Sequence, residues 1–340
     1  NNDWSGSPNV ELANNKTMKT SIALCTYNGE KFLKSQLESF LNQTQLPDEV
    51  IICDDFSSDL TIEIIKEFKK TASFPVQLKI NKKQLGVIKN FEKAIGLCTN
   101  EVIFLSDQDD VWVSEKIQLI TEQFKQNETL GMIYTDAELI DENSKKLHKT
   151  LFAEIFKRID KTKPLFDLCL NKNVVTGATM AFRSSYKNEF LPIPSNIPNI
   201  IHDGWIALVI SAIAECKFLE IPLIKYRQHS EQQLGLFGKT YQKAIERLKD
   251  EISTLQNFPD YFENKTVLKK LAEKKDLIDE IIVKKTDLIK HYEARMNLPK
   301  SHLIRIFPIF SEFISGRYGK FSSGFKSAVK DALENKSNLK

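Results

Sequence analysis

Three carboxylates stand within four consecutive residues, in the run Asp107-Gln108-Asp109-Asp110. Like charges this close repel one another, and a divalent cation removes that cost. Carboxylate oxygens suit Mg²⁺ or Mn²⁺, which bind one or two carboxylates and take further ligands from substrate phosphates. The alternative is a solvated acidic turn that caps the next helix. Because the run directly follows the apolar residues 102–105, we favour the cation site.

Two motifs that hold phosphate through backbone amides are missing. No Gly-x-Gly-x-x-Gly follows the first apolar run, and no complete Gly-x-x-x-x-Gly-Lys-Ser/Thr loop occurs in the sequence. We therefore expect phosphate to be held through a metal ion. This favours a nucleotide-diphosphate ligand over a nicotinamide dinucleotide or ATP.

The elements that would position these carboxylates alternate between strand and helix. Short apolar runs predict strands over 21–26, 50–53, 76–80 and 102–105. Apolar residues spaced three and four apart predict the helices between them, over 31–41, from a cap at Ser58 or Asp59 to Phe68, and over 86–97. Fully apolar strands must be buried on both faces, so the pattern predicts an α/β fold with a parallel sheet covered by helices.

Ligands bind at the carboxyl ends of the strands in such sheets. The residues to consider are therefore the polar stretches that follow each strand, at 26–28, 54–55, 81–86 and 106–112.

The rest of the chain is less regular. We predict a helix at 115–124, a strand at 132–135, a polar mobile stretch to about 163, and an apolar run at 174–182. His202 opens a helix that runs to 214, and two short strands at 218–221 and 223–226 follow. Long helices are predicted at 241–255 and 264–296, and a basic stretch begins at 300. We expect residues 1–17 to be a vector-derived remnant or disordered arm, 18–237 an α/β domain, and 238–340 a basic helical region, with the boundary near 235–238.

Composition excludes several classes of protein. The 340 residues are 41% hydrophobic and 27% charged, as in an ordinary globular chain. No run approaches the ~18 to 20 apolar residues of a membrane span, and no secretory signal is visible, so we expect a cytoplasmic protein. The five cysteines form no C-x-x-C pair and are predicted to be reduced thiols.

The net charge of +3 conceals an asymmetry. Residues 241–340 hold 20 Lys and Arg against 14 Asp and Glu, a net +6, which leaves −3 for residues 1–240. We expect no nucleic-acid partner from this balance. The basic excess lies in the C-terminal region.

Several runs of the sequence carry a resemblance to a known family. They are Ser21-Ile-Ala-Leu-Cys-Thr-Tyr-Asn-Gly-Glu-Lys-Phe-Leu, Leu41-Asn-Gln-Thr, Cys53-Asp-Asp-Phe-Ser-Ser-Asp and Asp107-Gln-Asp-Asp-Val-Trp. In order and spacing they resemble the inverting family 2 glycosyltransferases of the GT-A fold, over roughly residues 18–235. The implied fold is a Rossmann-like, mostly parallel sheet flanked by helices, here with a C-terminal helical extension. Three later runs, at 175–180, 202–205 and 226–229, resemble the rhamnosyltransferase-like subgroup of bacterial surface polysaccharide enzymes.

The resemblance implies a nucleoside-binding role for five residues. Thr26, Tyr27 and Glu30 correspond to the loop that holds the base and ribose, with Tyr27 placed to stack on a pyrimidine. Asp55 corresponds to the carboxylate that accepts a hydrogen bond from the base N3–H, and Asp54 to a contact with base or ribose.

Metal and diphosphate roles are implied for a second group. Asp107 and Asp109 match the D-x-D signature, the first near ribose or metal and the second on the metal, with Asp110 as a helper. His229 matches a residue that approaches the diphosphate or metal in some relatives, and a surface histidine is the alternative. Arg227, just after a predicted strand, suits a diphosphate.

Asp203 matches the acidic residue that acts as general base in the family. Since it begins a predicted helix, a plain N-cap is the alternative. Many relatives have Glu-Asp where this chain has His202-Asp203, so the resemblance assigns no role to position 202, which we expect to be structural or solvated.

The implied activity is a metal-dependent, inverting, non-processive glycosyl transfer that uses Mn²⁺ or Mg²⁺. A hexosyl or rhamnosyl unit would pass from a dTDP- or UDP-linked donor to a glycan or lipid-linked acceptor in cell-surface polysaccharide synthesis. One alternative is a non-catalytic member that only binds nucleotide sugars. Another is a sugar nucleotidyltransferase, although the Gly-rich, Arg-containing loop that such an enzyme needs after its first strand is missing.

The C-terminal stretch from residue 300 holds eight Lys and Arg against three acids, together with Phe307, Phe310 and Phe313 at partly helical spacing. An amphipathic, basic and aromatic segment is suited to an anionic membrane surface, here the inner face of the cell membrane. The alternative is a helix packed on the catalytic domain or on a partner subunit of a homo-oligomer.

Overall fold

The computed structural model describes residues 17–155, 160, 162–229 and 240–333. The predicted arm, apart from Thr17, and the predicted domain boundary near 235–238 lie outside the described residues.

The described residues form one mixed sheet of nine strands. The strands are β1 (Thr20–Thr26), β2 (Glu49–Asp54), β3 (Val76–Ile80), β4 (Val102–Ser106), β5 (Val111–Trp112), β6 (Leu130–Ile140), β7 (Lys146–Thr150), β8 (Met180–Arg183) and β9 (Glu215–Arg227). The helices are α1 (Leu33–Leu41), α2 (Thr61–Thr71), α3 (Val87–Leu97), α4 (Lys116–Gln126), α5 (Leu151–Ile155), α6 (Leu165–Asn171), α7 (Lys187–Phe190), α8 (His202–Ile213), α9 (Tyr241–Gln256), α10 (Lys265–Glu273), α11 (Lys275–Met296), α12 (His302–Ile314), α13 (Arg317–Phe321) and α14 (Phe325–Leu333).

The strand order is β3-β2-β1-β4-β8-β6-β9-β5, with β7 paired beside β6. The first four strands are mutually parallel. Strand β8 runs antiparallel to both β4 and β6, while β6 and β9 are parallel to each other. The predicted α/β architecture is therefore confirmed, and its parallel half is the one made by the alternating N-terminal elements.

Both faces of the parallel half are apolar, as continuous hydrophobic strands require. Successive side chains of a strand point to opposite faces, so Ile22 and Leu24 join a core with α1, α2 and α4, while Ala23 joins a second core with α3 and α8. The helices on both sides hold the carboxyl ends of β1, β2 and β4 at one edge of the sheet.

Three predicted elements differ from the structure. The polar stretch expected to be mobile contains β7 and α5. The two short strands at 218–221 and 223–226 are one strand, β9, whose register against β6 shifts where Pro222 interrupts the hydrogen-bond ladder. The helix expected over 264–296 is divided at Lys274, whose ammonium group lies 2.9 Å from Asp167 of α6.

The helices after residue 240 fall into two groups. Apolar residues of α9, α10 and the first half of α11 join the core beneath α8, where Phe262 stacks on Trp205 at a centroid distance of 4.6 Å. In contrast, α12 to α14 close a small separate cluster of Leu298, Ile309, Tyr318 and Ala328.

The five cysteines are free thiols, as their spacing predicts. Burial raises the pKa of Cys53 to about 11, which makes that thiol unreactive. Among the described residues, no helix has both the length and the apolar character that crossing a bilayer requires.

Candidate active site

A pocket of about 500 Å³ opens at the carboxyl ends of β1, β2 and β4, facing the first turn of α8. This is the edge that the parallel sheet predicts for a ligand. Its lining brings together most of the predicted site residues, namely Thr26, Tyr27, Asp55, Asp107, Asp109, Asp203 and His229.

Glu30 and Asp54 are not part of that lining. The Glu30 carboxylate accepts a hydrogen bond from the Leu60 N–H at 3.0 Å, before the first turn of α2. Asp54 is fully buried and accepts hydrogen bonds from the Thr26 hydroxyl at 2.8 Å and the Ser57 N–H at 2.9 Å. Both carboxylates fix the loops around the pocket, and their contacts with a nucleoside stay predictions.

Arg227 is also buried outside the lining. Its guanidinium donates to the backbone carbonyls of Asp109 at 2.7 Å and Asp141 at 3.1 Å. Its own N–H donates to the Asp110 carboxylate at 3.0 Å. The structure thus uses Arg227 to hold the Asp109-Asp110 turn, whereas the sequence suggested a diphosphate ligand.

The Asp55 carboxylate is clamped at the pocket wall. One oxygen accepts from the Asn81 side chain at 2.9 Å and the Leu85 N–H at 2.7 Å, and the other accepts from the Gly86 N–H at 2.8 Å. Gly86 has φ 84°, a left-handed conformation that glycine adopts without strain. The loop after β3 therefore turns back to present its amides to this carboxylate.

Gln108, between the two aspartates of the D-x-D run, locks the Tyr27 backbone. Its side-chain oxygen accepts the Tyr27 N–H at 2.8 Å, and its NH₂ group donates to the Tyr27 carbonyl at 3.0 Å. A Cβ at Gly29 would lie 2.3 Å from the Gln108 side-chain oxygen, so a larger residue there would push the Gln108 amide away from the Tyr27 backbone. Sequence reasoning missed Gln108, because an amide in a polar loop has no signal that separates it from a solvated one.

The carboxylates of the Asp107-Gln108-Asp109-Asp110 run lie close together, with Asp110 fully buried and Asp107 and Asp109 half-buried. Burial, followed by the charges of Asp109 and Asp203, raises the pKa of Asp107 to about 7. Burial, followed by the charges of Asp109 and Asp107, raises the pKa of Asp110 well above its usual range, and its second oxygen has no hydrogen-bond partner among the described residues. Lys116 and the Arg227 N–H relieve only part of the electrostatic cost of this cluster, because the pKa values of Asp107 and Asp110 remain raised.

A histidine and a lysine flank this cluster. His229 packs against Phe32, and its Nε2 lies 2.9 Å from the Asp109 carboxylate. Lys116 is fully buried, with its ammonium 4.0 Å from the centroid of the Trp112 ring and donating to the Ala178 carbonyl at 2.7 Å. Burial lowers the pKa of Lys116 to about 7, against the raising effect of the nearby carboxylates. Sequence reasoning missed Lys116, since a lysine at a helix start is usually solvated.

The described residues of the pocket supply suitable ligand types for a divalent cation, but they do not form a complete coordination shell. In the ranges the structure covers, no three His, Cys, Asp or Glu side chains form a complete metal cage. Asp107, Asp109 and His229 nevertheless line one pocket, and a cation there would offset the repulsion that raises the pKa of Asp107. Such a donor set suits Mg²⁺ or Mn²⁺ that takes its remaining ligands from a diphosphate.

Asp203 lies across the pocket, in the first turn of α8. Its Oδ2 accepts the Gly177 N–H at 3.0 Å, and its Oδ1 accepts the Asn173 side chain at 2.9 Å and the Gly204 N–H at 2.6 Å. Burial raises the pKa of Asp203 to about 6, although these hydrogen bonds lower it. The N-cap of α8 is Ile201, so Asp203 is not the capping residue that formed the alternative.

His202 is buried against the same pocket. Its ring stacks on Phe91 at a centroid distance of 3.9 Å, and neither ring nitrogen has a hydrogen-bond partner within the described ranges. Burial lowers the pKa of His202 to about 3, which keeps the imidazole neutral beside Asp203. A Cβ at Gly177 would lie 2.8 Å from His202 Nε2, so glycine is needed where this ring meets the loop before β8.

Comparison of the sequence with known proteins gives one family and a group of relatives. The model described as Glycosyl transferase family 2 matches residues 21–190, half of the chain. An uncharacterized glycosyltransferase of Nostoc sp. is 26% identical over 62% of this chain and 65% of its own length. A dTDP-rhamnosyl transferase of Shigella flexneri, RfbG, is 37% identical over 28% of this chain and 34% of its own length.

Solved structures share the fold at low sequence identity. TarS residues 1–349 of S. aureus, in complex with UDP-GlcNAc, has a TM-score of 0.58 and 14% identity over 87% of this chain and 81% of its own. A mannosyltransferase of Pyrobaculum calidifontis, in complex with GDP-Man and Mn²⁺, has a TM-score of 0.57 and 12% identity over 94% of this chain and 87% of its own. With the family model matched from β1 through α7 and the fold shared with these transferases, the chain belongs to glycosyl transferase family 2.

Proposed function

We propose that the chain is a metal-dependent, inverting glycosyltransferase that uses a nucleotide-diphosphate sugar. One observation carries the proposal: Asp203 presents a buried carboxylate, fixed by three hydrogen bonds, to the same pocket that Asp55, Asp107 and Asp109 line. With a pKa of about 6, that carboxylate is ionised at neutral pH, and its pKa is close enough to 7 for it to work as a general base.

Donor binding is assigned to the edge of the sheet formed by β1, β2 and β4. The half-exposed Tyr27 ring offers a stacking surface for a base, and the clamped Asp55 offers a fixed acceptor for a base N–H. Asp107 and Asp109, with His229, would hold Mg²⁺ or Mn²⁺, and the bound ion would stabilise the charge that develops on a leaving diphosphate.

The reaction is a single displacement at the anomeric carbon. The acceptor hydroxyl oxygen forms a bond to that carbon while the bond from the carbon to the diphosphate oxygen breaks, and the electron pair leaves with the diphosphate. Asp203 takes the hydroxyl proton on its carboxylate. Because attack and departure occur on opposite faces of the sugar, the configuration at the anomeric carbon inverts.

The donor we favour is dTDP-rhamnose, with UDP-hexoses next. The supporting observations are the subgroup motifs at 175–180, 202–205 and 226–229 and the similarity to the Shigella dTDP-rhamnosyl transferase. The subgroup motifs support a glycan or lipid-linked acceptor in surface polysaccharide synthesis, and we propose that transfer takes place on the cytoplasmic side of the membrane.

A thermal-shift screen of dTDP-, UDP- and GDP-sugars, with and without Mn²⁺, would identify the donor. Acceptor-dependent release of nucleoside diphosphate, together with the NMR anomeric configuration of the product, then tests the reaction. We expect an inverted glycoside and release that stops when Mn²⁺ is chelated. Binding without release under any acceptor would instead favour a non-catalytic member, and pyrophosphate release from a nucleoside triphosphate would favour a nucleotidyltransferase.

A further inference from the structure

Helix α12 presents its apolar side to solvent and its charged side to the protein. Leu303, Phe307, Phe310 and Ile314, which share one helix face, are between 62% and 79% exposed. The opposite face carries Arg305, Ile309 and Glu312, all of them buried. A surface helix of a water-soluble protein normally has the reverse arrangement.

The buried charges fix this orientation, because each has its own partners. Arg305 donates to the carbonyls of Pro299 at 2.8 Å and Asp331 at 2.9 Å. Glu312 pairs with Arg317 and lies 3.0 Å from His291 of α11. Rotation of α12 to bury its phenylalanines would break these hydrogen bonds and ion pairs, and Arg305 and Glu312 would lose their partners. The exposure of the apolar side is therefore built into the bundle.

The exposed apolar side of α12 continues onto α14. The Phe313 and Phe325 rings lie 6.3 Å apart and join the two helices. Phe325, Val329 and Leu333 form one face of α14 and are 70%, 38% and 73% exposed. We call the exposed apolar side chains of these two helices the apolar face.

Basic residues outnumber acids in the described part of the chain that carries the apolar face, with four Lys and two Arg against two acids over 297–333. Within 297–333, the two acids, Glu312 and Asp331, are buried against arginines, and the exposed charged side chains are Lys300, Lys320, Lys326 and Lys330. Lys320 lies 3.6 Å from Asp287 of α11, and the surround as a whole keeps a net positive charge. An apolar centre with a net positive surround complements a surface that is apolar inside and anionic at its rim.

We infer that the apolar face docks on the surface of an anionic lipid bilayer. The acyl region would receive the phenylalanines and the headgroups would meet the lysines, as for interfacial amphipathic helices. A second copy of the chain is the poorer occupant, because a two-fold interface would bring two copies of this net positive segment together. This inference goes beyond glycosyl transfer and is independent of it.

Co-sedimentation of the full chain with vesicles tests the inference. Vesicles of phosphatidylcholine alone are compared with vesicles of equal parts phosphatidylcholine and phosphatidylglycerol. We expect the chain to pellet with the anionic vesicles, and Phe307→Ser/Phe310→Ser to weaken that binding at least about tenfold. The matched control is Val283→Ser, an exposed apolar residue of α11 outside the apolar face, which should bind as the wild type does. Because these side chains are exposed, circular dichroism melting should be unchanged in both variants.

A second arm tests the charges. Lys326→Gln/Lys330→Gln should weaken binding to the anionic vesicles roughly tenfold and flatten its dependence on salt. Equal binding to neutral and anionic vesicles, or binding that the phenylalanine substitutions leave intact, would overturn the inference. So would a wild-type dimer in sedimentation velocity that the phenylalanine substitutions dissociate, if the chain ignores both kinds of vesicle.

Discussion

The pocket and the C-terminal bundle of α11 to α14 both bury ionisable side chains, but they treat them in opposite ways. In the bundle, Asp331 accepts two hydrogen bonds from Arg295, at 2.6 and 2.7 Å, and a third from the Tyr318 hydroxyl. In the pocket, Asp110 keeps an oxygen without a partner among the described residues, and the Asp107 pKa rises to about 7 through burial and then neighbouring charge.

The direction of the pKa shifts records this difference. Burial raises the pKa of Glu312, yet hydrogen bonds from Arg317 and His291 bring it below its usual value. For Asp110, burial and like charges act in the same direction. A carboxylate that is paired with an arginine within the fold attracts a cationic ligand only weakly. The pocket carboxylates lack such a partner among the described residues, so their negative potential attracts cations. The bundle is built for stability and the pocket for binding.

The largest effect on stability should come from the bundle. Asp331→Asn keeps the shape of the side chain but leaves Arg295 buried without its counter-charge, which should lower the free energy of unfolding by about 3 kcal/mol. The control, Asp287→Asn, removes a partly exposed carboxylate that lies 3.6 Å from Lys320 and should cost under about 1 kcal/mol. Urea unfolding followed by circular dichroism measures both free energies of unfolding. Equal decreases for the two variants would show that the buried pair of Asp331 and Arg295 stabilises the protein no more than a partly exposed pair does.

Asp109→Ala should have the opposite profile, with binding lost and stability kept. Removing one carboxylate of the D-x-D pair should weaken Mn²⁺-dependent donor binding at least about 100-fold. The urea midpoint should not fall, since the change reduces like-charge repulsion with Asp107. Isothermal titration with the donor, in Mn²⁺ and in EDTA, distinguishes the two effects. Undiminished Mn²⁺-dependent binding would remove Asp109 from the site.

Turnover should fall as the Asp203 carboxylate is protonated. The group has a raised pKa of about 6 and works as a base only when ionised, so kcat should be constant above that pH and drop about tenfold per unit below it. Saturating donor and Mn²⁺ keep the titration of the other pocket acids out of the profile. A kcat that stays level down to pH 5 would contradict the assignment.

The smallest effect on stability is expected when the Asp-to-Asn substitution is made in the pocket rather than in the bundle. Asp110→Asn keeps an oxygen for the Arg227 N–H and removes a charge that the fold disfavours. At pH 7 the unfolded chain holds this group ionised, so the substitution should leave stability unchanged or raise it by about 1 kcal/mol. A loss comparable to that of Asp331→Asn would erase the contrast between the two regions.

The parallel half of the fold could be predicted because short stretches of sequence determine its strands and helices. Alternation within β1 places Ile22 and Ala23 on opposite faces, and both are apolar, so the strand had to be covered on both sides. The acids that follow β2 and β4 then had to lie at one edge of the sheet. The antiparallel insertion of β8 between β4 and β6 depends on long-range pairing that no local pattern records.

The direction of a charged side chain was equally hard to foresee. Arg227 ends β9 whether its side chain faces a ligand or the carbonyls of residues 141–142, and the position of that distant turn decides between the two. Lys116 belongs to the same class, because its burial depends on how α4 packs behind the carboxylates. The sequence could not show that Asp54, at the end of β2, and Glu30 also hold backbone amides of the loop before α2.

Single-turnover transfer by Asp203→Asn, alongside donor titration, tests the central claim most directly. The amide keeps the size of the side chain but cannot take the proton, so we expect turnover to fall by about 10²- to 10⁴-fold with donor affinity unchanged. The control, Asp276→Asn, alters an exposed aspartate in the first turn of α11 and should turn over as the wild type does. Near-wild-type turnover by Asp203→Asn would contradict the account.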